Sequence, residues 1–383
     1  MNKRKIINDP VYGFTTIPDD FIYDLIQHPF FQRLRRVKQL GLTDFVYPGA
    51  SHTRFQHALG ALHLMTLAIE SLRSKGVVIT PEEAQGGQIA ILLHDIGHSP
   101  FSHALEKKLI SLDHEHLSLS FMKLLNEEFN GKLNLAIQIF TNRYPKRFLH
   151  QLVSSQLDVD RMDYLNRDSF YTGVAEGVIG YERLIKMINV VNNRLVVEEK
   201  GILTIEKFLI SRRIMYWQVY LHKTVLAAEK MLIHWLDMVT LSGELQILFP
   251  ALYVLKNAGD QNKKKLLTLF ADIDDSNVTF ALKFSTHSPN SKIRILAEGI
   301  LNRRLFKCQL SAIPFTNSFK KELLVKAKHP DLLFEGVELN TGYNLKMNEI
   351  MVLKKNNKTV PLSKISELNY IPGIESKYYI VYS

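Results

Sequence analysis

Leu92-Leu93-His94-Asp95-Ile96-Gly97-His98 ends an apolar run on an adjacent histidine and aspartate. The run starts at Thr80-Pro81-Glu82-Glu83: a capping hydroxyl, a proline for the first turn, then acids beside the positive end of the helix dipole. Ile89, Ile91, Leu92 and Leu93 give the helix a buried character, and Gly97-His98-Ser99-Pro100 breaks it. An ionisable pair at the buried end of such a helix costs desolvation free energy unless something compensates it, and a divalent cation does so well. Neighbouring helix positions point about 100° apart, so His94 and Asp95 can approach one ion from adjacent directions. His98, four residues on, shares the face of His94.

One pair does not make a metal site. His57, in Thr53-Arg54-Phe55-Gln56-His57, is a candidate third ligand, and Asp158-Val159-Asp160-Arg161-Met162-Asp163-Tyr164 offers several carboxylates for a fourth. The chain has 14 histidines, and His52, His57, His63, His94, His98, His103, His114 and His116 crowd into one short span. Clustered imidazoles suit metal or phosphate chemistry. The single cysteine, Cys308, rules out an intrachain disulfide and a thiolate zinc site. Two nitrogens and two carboxylates with open positions suit Mn, Fe, Zn, Ni or Co about equally.

Outward from this centre, the chain reads as helical to about residue 180. Phe21, Ile22, Leu25 and Ile26 form an amphipathic face closed by His28-Pro29. Residues 30–40 continue it with Phe31, Leu34 and Val37, capped by Gly41, and a further helix ends at Gly76. Strand-like runs at 194–197 and 201–204 suggest a small hairpin, and a long helix is expected over 205–241. Residues 262–265 form a polar, basic break, and the tail mixes helix with strand runs at 349–353 and 378–382. The expected organisation is a mainly α protein: residues 1–255 as a helical domain that binds the metal, and 256–383 as a smaller α+β portion. With 46% hydrophobic and 22% charged residues among 383, extensive disorder is excluded. The net charge of +10 favours anionic partners. No apolar run approaches the ~18 residues of a membrane helix, and the start lacks a signal-peptide core, so a cytoplasmic protein with no membrane partner is expected.

His57…His94-Asp95…Asp160 resembles the H…HD…D signature of the HD-domain superfamily of metal-dependent phosphohydrolases. Pro29-Phe30-Phe31-Gln32-Arg33-Leu34-Arg35, Lys38-Gln39-Leu40-Gly41, Tyr47-Pro48-Gly49-Ala50-Ser51-His52 and the run from His94 to His103 resemble its deoxynucleoside triphosphate triphosphohydrolase branch. That branch holds the animal enzyme with a SAM domain joined to its HD domain, and bacterial dGTPase-like proteins. The resemblance covers roughly residues 5 to 240.

The resemblance implies an HD-domain helical core that splits a deoxynucleoside triphosphate into nucleoside and inorganic triphosphate. It implies His57, His94, Asp95 and Asp160 as ligands of the metal, with Mg²⁺ as a further ion. His98, His103 and His114 correspond to the catalytic histidines, with Glu106 as their acidic partner. Arg54, Arg161, Arg212 and Lys223 match positions near the phosphates; Gln39, Leu40, Tyr164, Asp168 and Tyr220 match those that hold the sugar. Lys5, Asn8-Asp9-Pro10 and Arg35 match part of an allosteric nucleotide site, where Gln27 stands in place of the acid that reads guanine. An activating nucleotide and a homo-oligomer, dimer or tetramer, are implied with it. His116 reads as a surface or core residue.

Two other readings compete. The metal site alone also suits HD phosphohydrolases or phosphodiesterases acting on other nucleotides. Arg33, Arg35, Arg36 and Lys38 as a basic helix, with the Lys263-Lys264-Lys265 run, would suit binding of single-stranded nucleic acid.

Overall fold

The computed structural model describes residues 5–110, 112–257, 263–340, 349–366 and 375–383. Its centre is a set of helices packed round the histidines. Arg54–Ser74 lies against Pro81–Leu93 on one side and Val159–Thr172 on another. Each starts on the cap its sequence offers. The Thr80 hydroxyl accepts from Glu83 N–H, and Glu83 returns to Thr80 N–H at 2.8 Å. Gln56 closes the same box on Thr53. Asp158 accepts from Arg161 N–H at 2.8 Å. Ala58, Ala61, Leu62, Met65, Leu92 and Leu93 are buried between these helices.

Residues beyond 180 wrap this core. Lys223–Leu241 packs against Ser291–Leu301 and the strand Lys307–Ser311, burying Trp235 completely. Lys307–Ser311, Glu375–Tyr382 and Phe334–Asn340 form an antiparallel sheet in that order. Among the described residues, no helix is long and apolar enough to cross a membrane. The architecture is the expected one, mainly helical with small β parts.

Local differences have identifiable causes. The run at 194–197 does belong to a hairpin, but its partner is Ile188–Val191, joined through Asn192-Asn193. Both asparagines have positive φ, 50° and 59°, which suits a tight hairpin turn. Residues 201–204 instead open the helix Ile202–Met215. The long helix expected over 205–241 is broken by a wider π-helical turn at Tyr216–Tyr220. The N-terminus forms an antiparallel hairpin, Ile6–Asp9 with Gly13–Thr16, where a helix was expected.

The expected basic helix at 30–40 is likewise corrected. Pro29–Gln32 is one helical turn, and Arg33–Arg36 tightens into a 3₁₀ turn. Arg33 is buried, Arg36 pairs with Asp274, and Lys38 pairs with Asp44 at 2.6 Å. Arg35 stays exposed. Gly41 has φ +52°, and a Cβ there would meet the Phe101 carbonyl oxygen at 2.8 Å.

Candidate metal centre and catalytic cavity

His57 projects from the first turn of a buried helix, His94 from the end of its neighbour, and Asp160 from the first turn of a third. One donor atom from each lies within 4.8 Å of the others. His57 Nε2 is 3.4 Å from His94 Nε2 and 3.1 Å from Asp160 Oδ1. Asp95 joins them, Oδ2 lying 3.6 Å from His57 Nε2 and Oδ1 3.4 Å from His94 Nε2.

The far side of each ring fixes which nitrogen is free. His57 Nδ1 is 2.7 Å from Asp163 Oδ2, and Arg167 grips both oxygens of that carboxylate at 2.9 Å. An ionised Asp163 can only accept, so Nδ1 carries a hydrogen and Nε2 is the nitrogen turned towards the cluster. His94 Nδ1 donates to the Ile91 carbonyl at 2.6 Å, with the same result. Two imidazole Nε2 atoms and two carboxylates converge on one point, an arrangement that calls for a positive charge, supplied by ring protons or by a metal ion that displaces them. Burial alone would depress the His57 imidazole, but Asp160 and Asp163 outweigh it and carry it up to about 10. Asp95 stays well below the usual carboxylate range: burial would raise it, but His94, His98 and Arg54 pull harder. The donor set, nitrogen and oxygen with outer hydrogen bonds fixing the rings, is one a divalent metal ion fits.

This cluster forms one wall of a cavity of about 1140 Å³. A second histidine group faces it. His98, His103 and His114 each bring a ring nitrogen within 4.8 Å of the others. His98 Nδ1 is 3.2 Å from Asp95 Oδ1, and its Nε2 has no hydrogen-bond partner among the described residues. Burial, then the Arg54 guanidinium, hold His98 well below the ordinary histidine range. Glu106 takes His114 Nδ1 at 2.7 Å and His103 Nδ1 at 2.9 Å. Burial would lower His114, but Glu106 and Asp95 raise it. His103 is largely exposed.

A solved phosphohydrolase of Bacteroides thetaiotaomicron VPI-5482 is 45% identical with a TM-score of 0.92, and the match covers both chains in full. The HD domain model matches residues 54–168, and the HD associated region model residues 179–352. The chain belongs to the HD-domain phosphohydrolase family. Among curated relatives, YwfO of Bacillus subtilis (strain 168) is 36% identical over 239 residues, 61% of this chain and 55% of that protein. The deoxynucleoside triphosphate triphosphohydrolase SAMHD1 homolog of Dictyostelium discoideum is 34% identical over 248 residues, 60% of this chain and 48% of that protein. This HD phosphohydrolase spans about half the length of those two curated relatives.

In this HD phosphohydrolase, Gln39, Leu40, Arg54, Arg161, Tyr164, Asp168, Arg212 and Tyr220 all line the cavity. Asp168 is a junction: Oδ1 meets His52 Nε2 at 2.7 Å and Oδ2 accepts from Tyr220 OH at 2.7 Å. The Tyr164 and Tyr220 rings meet edge-on, with centroids 6.2 Å apart. Gln39 Oε1 and Arg161 Nε have no partner among the described residues. Arg54 is engaged by Asp95 and by Ser102 Oγ, so it supports the HD motif itself. Arg212 leans on Gln156 at 3.0 Å.

Lys223 is not brought to the cavity; it is exposed at the first position of its helix. Lys5, Asn8, Gln27 and Arg35 are exposed and outside the cavity wall, Arg35 packing 3.6 Å over the Phe55 ring. His116 is exposed and bonded to Asp113. Four contributors had no role assigned from sequence: Asp163, Arg167, His52 and Ser102. Asp163 carried a readable signal, since it lies one helical turn after Asp160. The others are defined by tertiary packing.

Proposed function

We propose that this HD phosphohydrolase hydrolyses deoxynucleoside triphosphates to deoxynucleoside and inorganic triphosphate. The observation that carries the reading is the Tyr220–Asp168–His52 chain beside Tyr164 and Gln39, in the same cavity as the metal cluster. It offers a narrow aromatic wall for a sugar lacking a 2′ hydroxyl, and Gln39 and Asp168 as partners for a 3′ hydroxyl. The Dictyostelium relative is named for action on this substrate class.

His57, His94, Asp95 and Asp160 would hold Mn, Fe, Zn, Ni or Co, and Mg²⁺ would accompany the phosphates. Such an ion supplies Lewis-acid activation of the phosphoryl group and of water. The protein supplies the rest. Arg161 and Arg212 offer guanidinium N–H groups to the triphosphate. His98 holds its hydrogen on Nδ1 towards Asp95, which leaves Nε2 to accept a proton from attacking water. The O5′–Pα bond breaks, and the departing 5′ oxygen needs a proton. His114, kept protonated by Glu106, and the neighbouring His103 are the donors. In this reading residues 1–255 carry the chemistry, and 256–383 brace it and close the cavity with Glu338 and Ser366.

The test is incubation of the purified protein with each deoxynucleoside triphosphate and Mn²⁺, alone and mixed, with products separated by chromatography. Nucleoside plus intact triphosphate is the expected result, and turnover only in mixtures would indicate an activating nucleotide. Absence of turnover across several metals would overturn the reading in favour of an HD enzyme acting on monophosphates or cyclic dinucleotides.

A further inference from the structure

The metal cluster does not end at His57. Behind that ring, Asp163 is held by Arg167, and Arg167 Nη1 lies 2.9 Å from Asp9 Oδ2. This last link is an ion pair rather than an aligned hydrogen bond. All four residues are buried, His57, Asp163 and Arg167 completely and Asp9 nearly so. Asp9 belongs to the N-terminal hairpin, about 50 residues from the nearest cluster residue in sequence.

The helix Arg54–Ser74 is shaped to admit the chain. Gly60 lies one turn after His57, and a Cβ on it would fall 2.0 Å from Asp163 Oδ1 and 2.1 Å from Arg167 Nη2. The Tyr12 ring, from the turn of the same hairpin, covers the guanidinium at 5.5 Å.

The charges explain what Asp9 adds. Asp163 and Arg167 alone cancel, and a neutralised carboxylate is a weaker acceptor for His57 Nδ1–H. Asp9 brings the buried group to a net charge of −1. In a low-dielectric interior that charge is felt strongly. It raises the basicity of the His57 ring and favours a cation at Nε2.

We infer that Asp9 is a positioning residue for the metal centre, acting on His57 through Arg167 and Asp163. The inference rests on the metal-site reading but not on the identity of the substrate.

Asp9 also has a local role, and the test must separate the two. Its Oδ1 accepts from Val11 N–H at 2.8 Å and Tyr12 N–H at 3.1 Å, holding the turn. In Asp9→Asn the amide oxygen can keep both bonds while the negative charge facing Arg167 is lost. Metal affinity is measured by competition with a chelator, and the ligand field by the visible absorption of the Co²⁺-loaded protein. Helix content and thermal midpoint are followed in parallel. The expected result for Asp9→Asn is a wild-type fold, an altered Co²⁺ spectrum and affinity lower by roughly tenfold or more. Where turnover is available, kcat should fall at limiting metal and recover at saturating metal, with KM unchanged. Asp9→Glu, which restores the charge, should regain most of the affinity. Unchanged affinity and spectrum in Asp9→Asn, whether or not its thermal midpoint drops, would overturn the inference. If Asp9→Asn fails to fold, Asp9→Ser, which can still accept from Val11 N–H, is read in the same way. The metal titration needs no substrate, so a wrong substrate assignment would leave this result standing.

Discussion

The imidazoles of His98 and His114 stack with centroids 4.1 Å apart and planes 29° from parallel. This contact joins the turn after the HD motif to the helix His114–Glu128, and Glu106 fastens His114 from the other side.

If His114 donates the proton to the leaving oxygen, Glu106 sets the pH at which it can do so. His114 is raised above its ordinary value, so its protonated form persists to higher pH and activity should fall as pH rises through that raised pKa. Glu106→Gln keeps the shape of the partner and removes its charge. The high-pH fall in kcat should then move to lower pH, and kcat near neutrality should drop by roughly 10- to 100-fold with KM little changed. A pH profile of kcat for the two proteins checks this; an unmoved high-pH limb would remove Glu106 from the mechanism.

Tyr220 and Asp168 form the sugar gate of the proposed reaction. With the Tyr220 hydroxyl fixed on Asp168 at 2.7 Å, the ring has little freedom to retreat from a 2′ substituent. The protein should prefer dATP to ATP strongly, and Tyr220→Ala should narrow the ratio of kcat/KM by about 10- to 100-fold. Equal rates on ATP and dATP in the unaltered protein would dispose of the gate.

Asp275 gives a pH dependence of stability rather than of activity. Its carboxylate is nearly buried and accepts from Lys38 N–H at 3.0 Å and Phe101 N–H at 2.7 Å. Burial pushes it up from 3.8 to about 6 despite those bonds. Between about pH 4 and 6 the native state therefore keeps a proton that the unfolded chain has released. The contribution of this group is full below that window and is lost as pH rises through it. The loss is on the order of 2–3 kcal/mol, since a tenfold difference in proton affinity is worth about 1.4 kcal/mol. Denaturant unfolding at several pH values, for wild type and Asp275→Asn, isolates it: the difference between their stabilities should change with pH in this window and level off above it.

These residues show what a sequence makes legible. His94 and Asp95 could be read because a charged pair at the end of an apolar run conflicts with its surroundings, a conflict that a metal ion would resolve. The helix starting at Thr80 was equally readable, because its capping signals are local. The Asp163–Arg167 pairing was not: Asp163 could be placed one turn after Asp160, but with Arg167 four residues on it looks like half of a solvated surface pair. The folded chain buries both beneath His57, with Gly60 leaving room for them. Asp274 and Asp275 reach back more than 230 residues to Arg36 and Lys38, and nothing local announces such a contact. For the same reason the basic stretch from Arg33 to Lys38 resembled a surface for nucleic acid. The Ile273 and His98 carbonyls for Arg33 and the Asp274 carboxylate for Arg36 come from distant segments, while Lys38 pairs with nearby Asp44. The hairpin partner of 194–197 was misread because two adjacent asparagines make a better turn than the glycine that follows.

Gly97 offers the sharpest test of the link between the HD motif and the second histidine group. A Cβ there would fall 2.4 Å from Ser118 N and 2.6 Å from the His114 carbonyl oxygen. Both obstacles are backbone, so the helix His114–Glu128 must move as a body, breaking the 3.0 Å bond from Gly97 N–H to Ser118 Oγ. Overpacking of this kind costs roughly 1–3 kcal/mol. Gly97→Ala should therefore lower the thermal midpoint by several degrees. The same movement separates His114 from His98 while leaving His57, His94 and Asp160 on their own helices. Activity should fall further than the stability loss explains, while metal binding is largely retained. Thermal unfolding, chelator competition and kcat on the same preparation check the three together; loss of metal in step with loss of activity would mean that the two histidine groups form one inseparable unit.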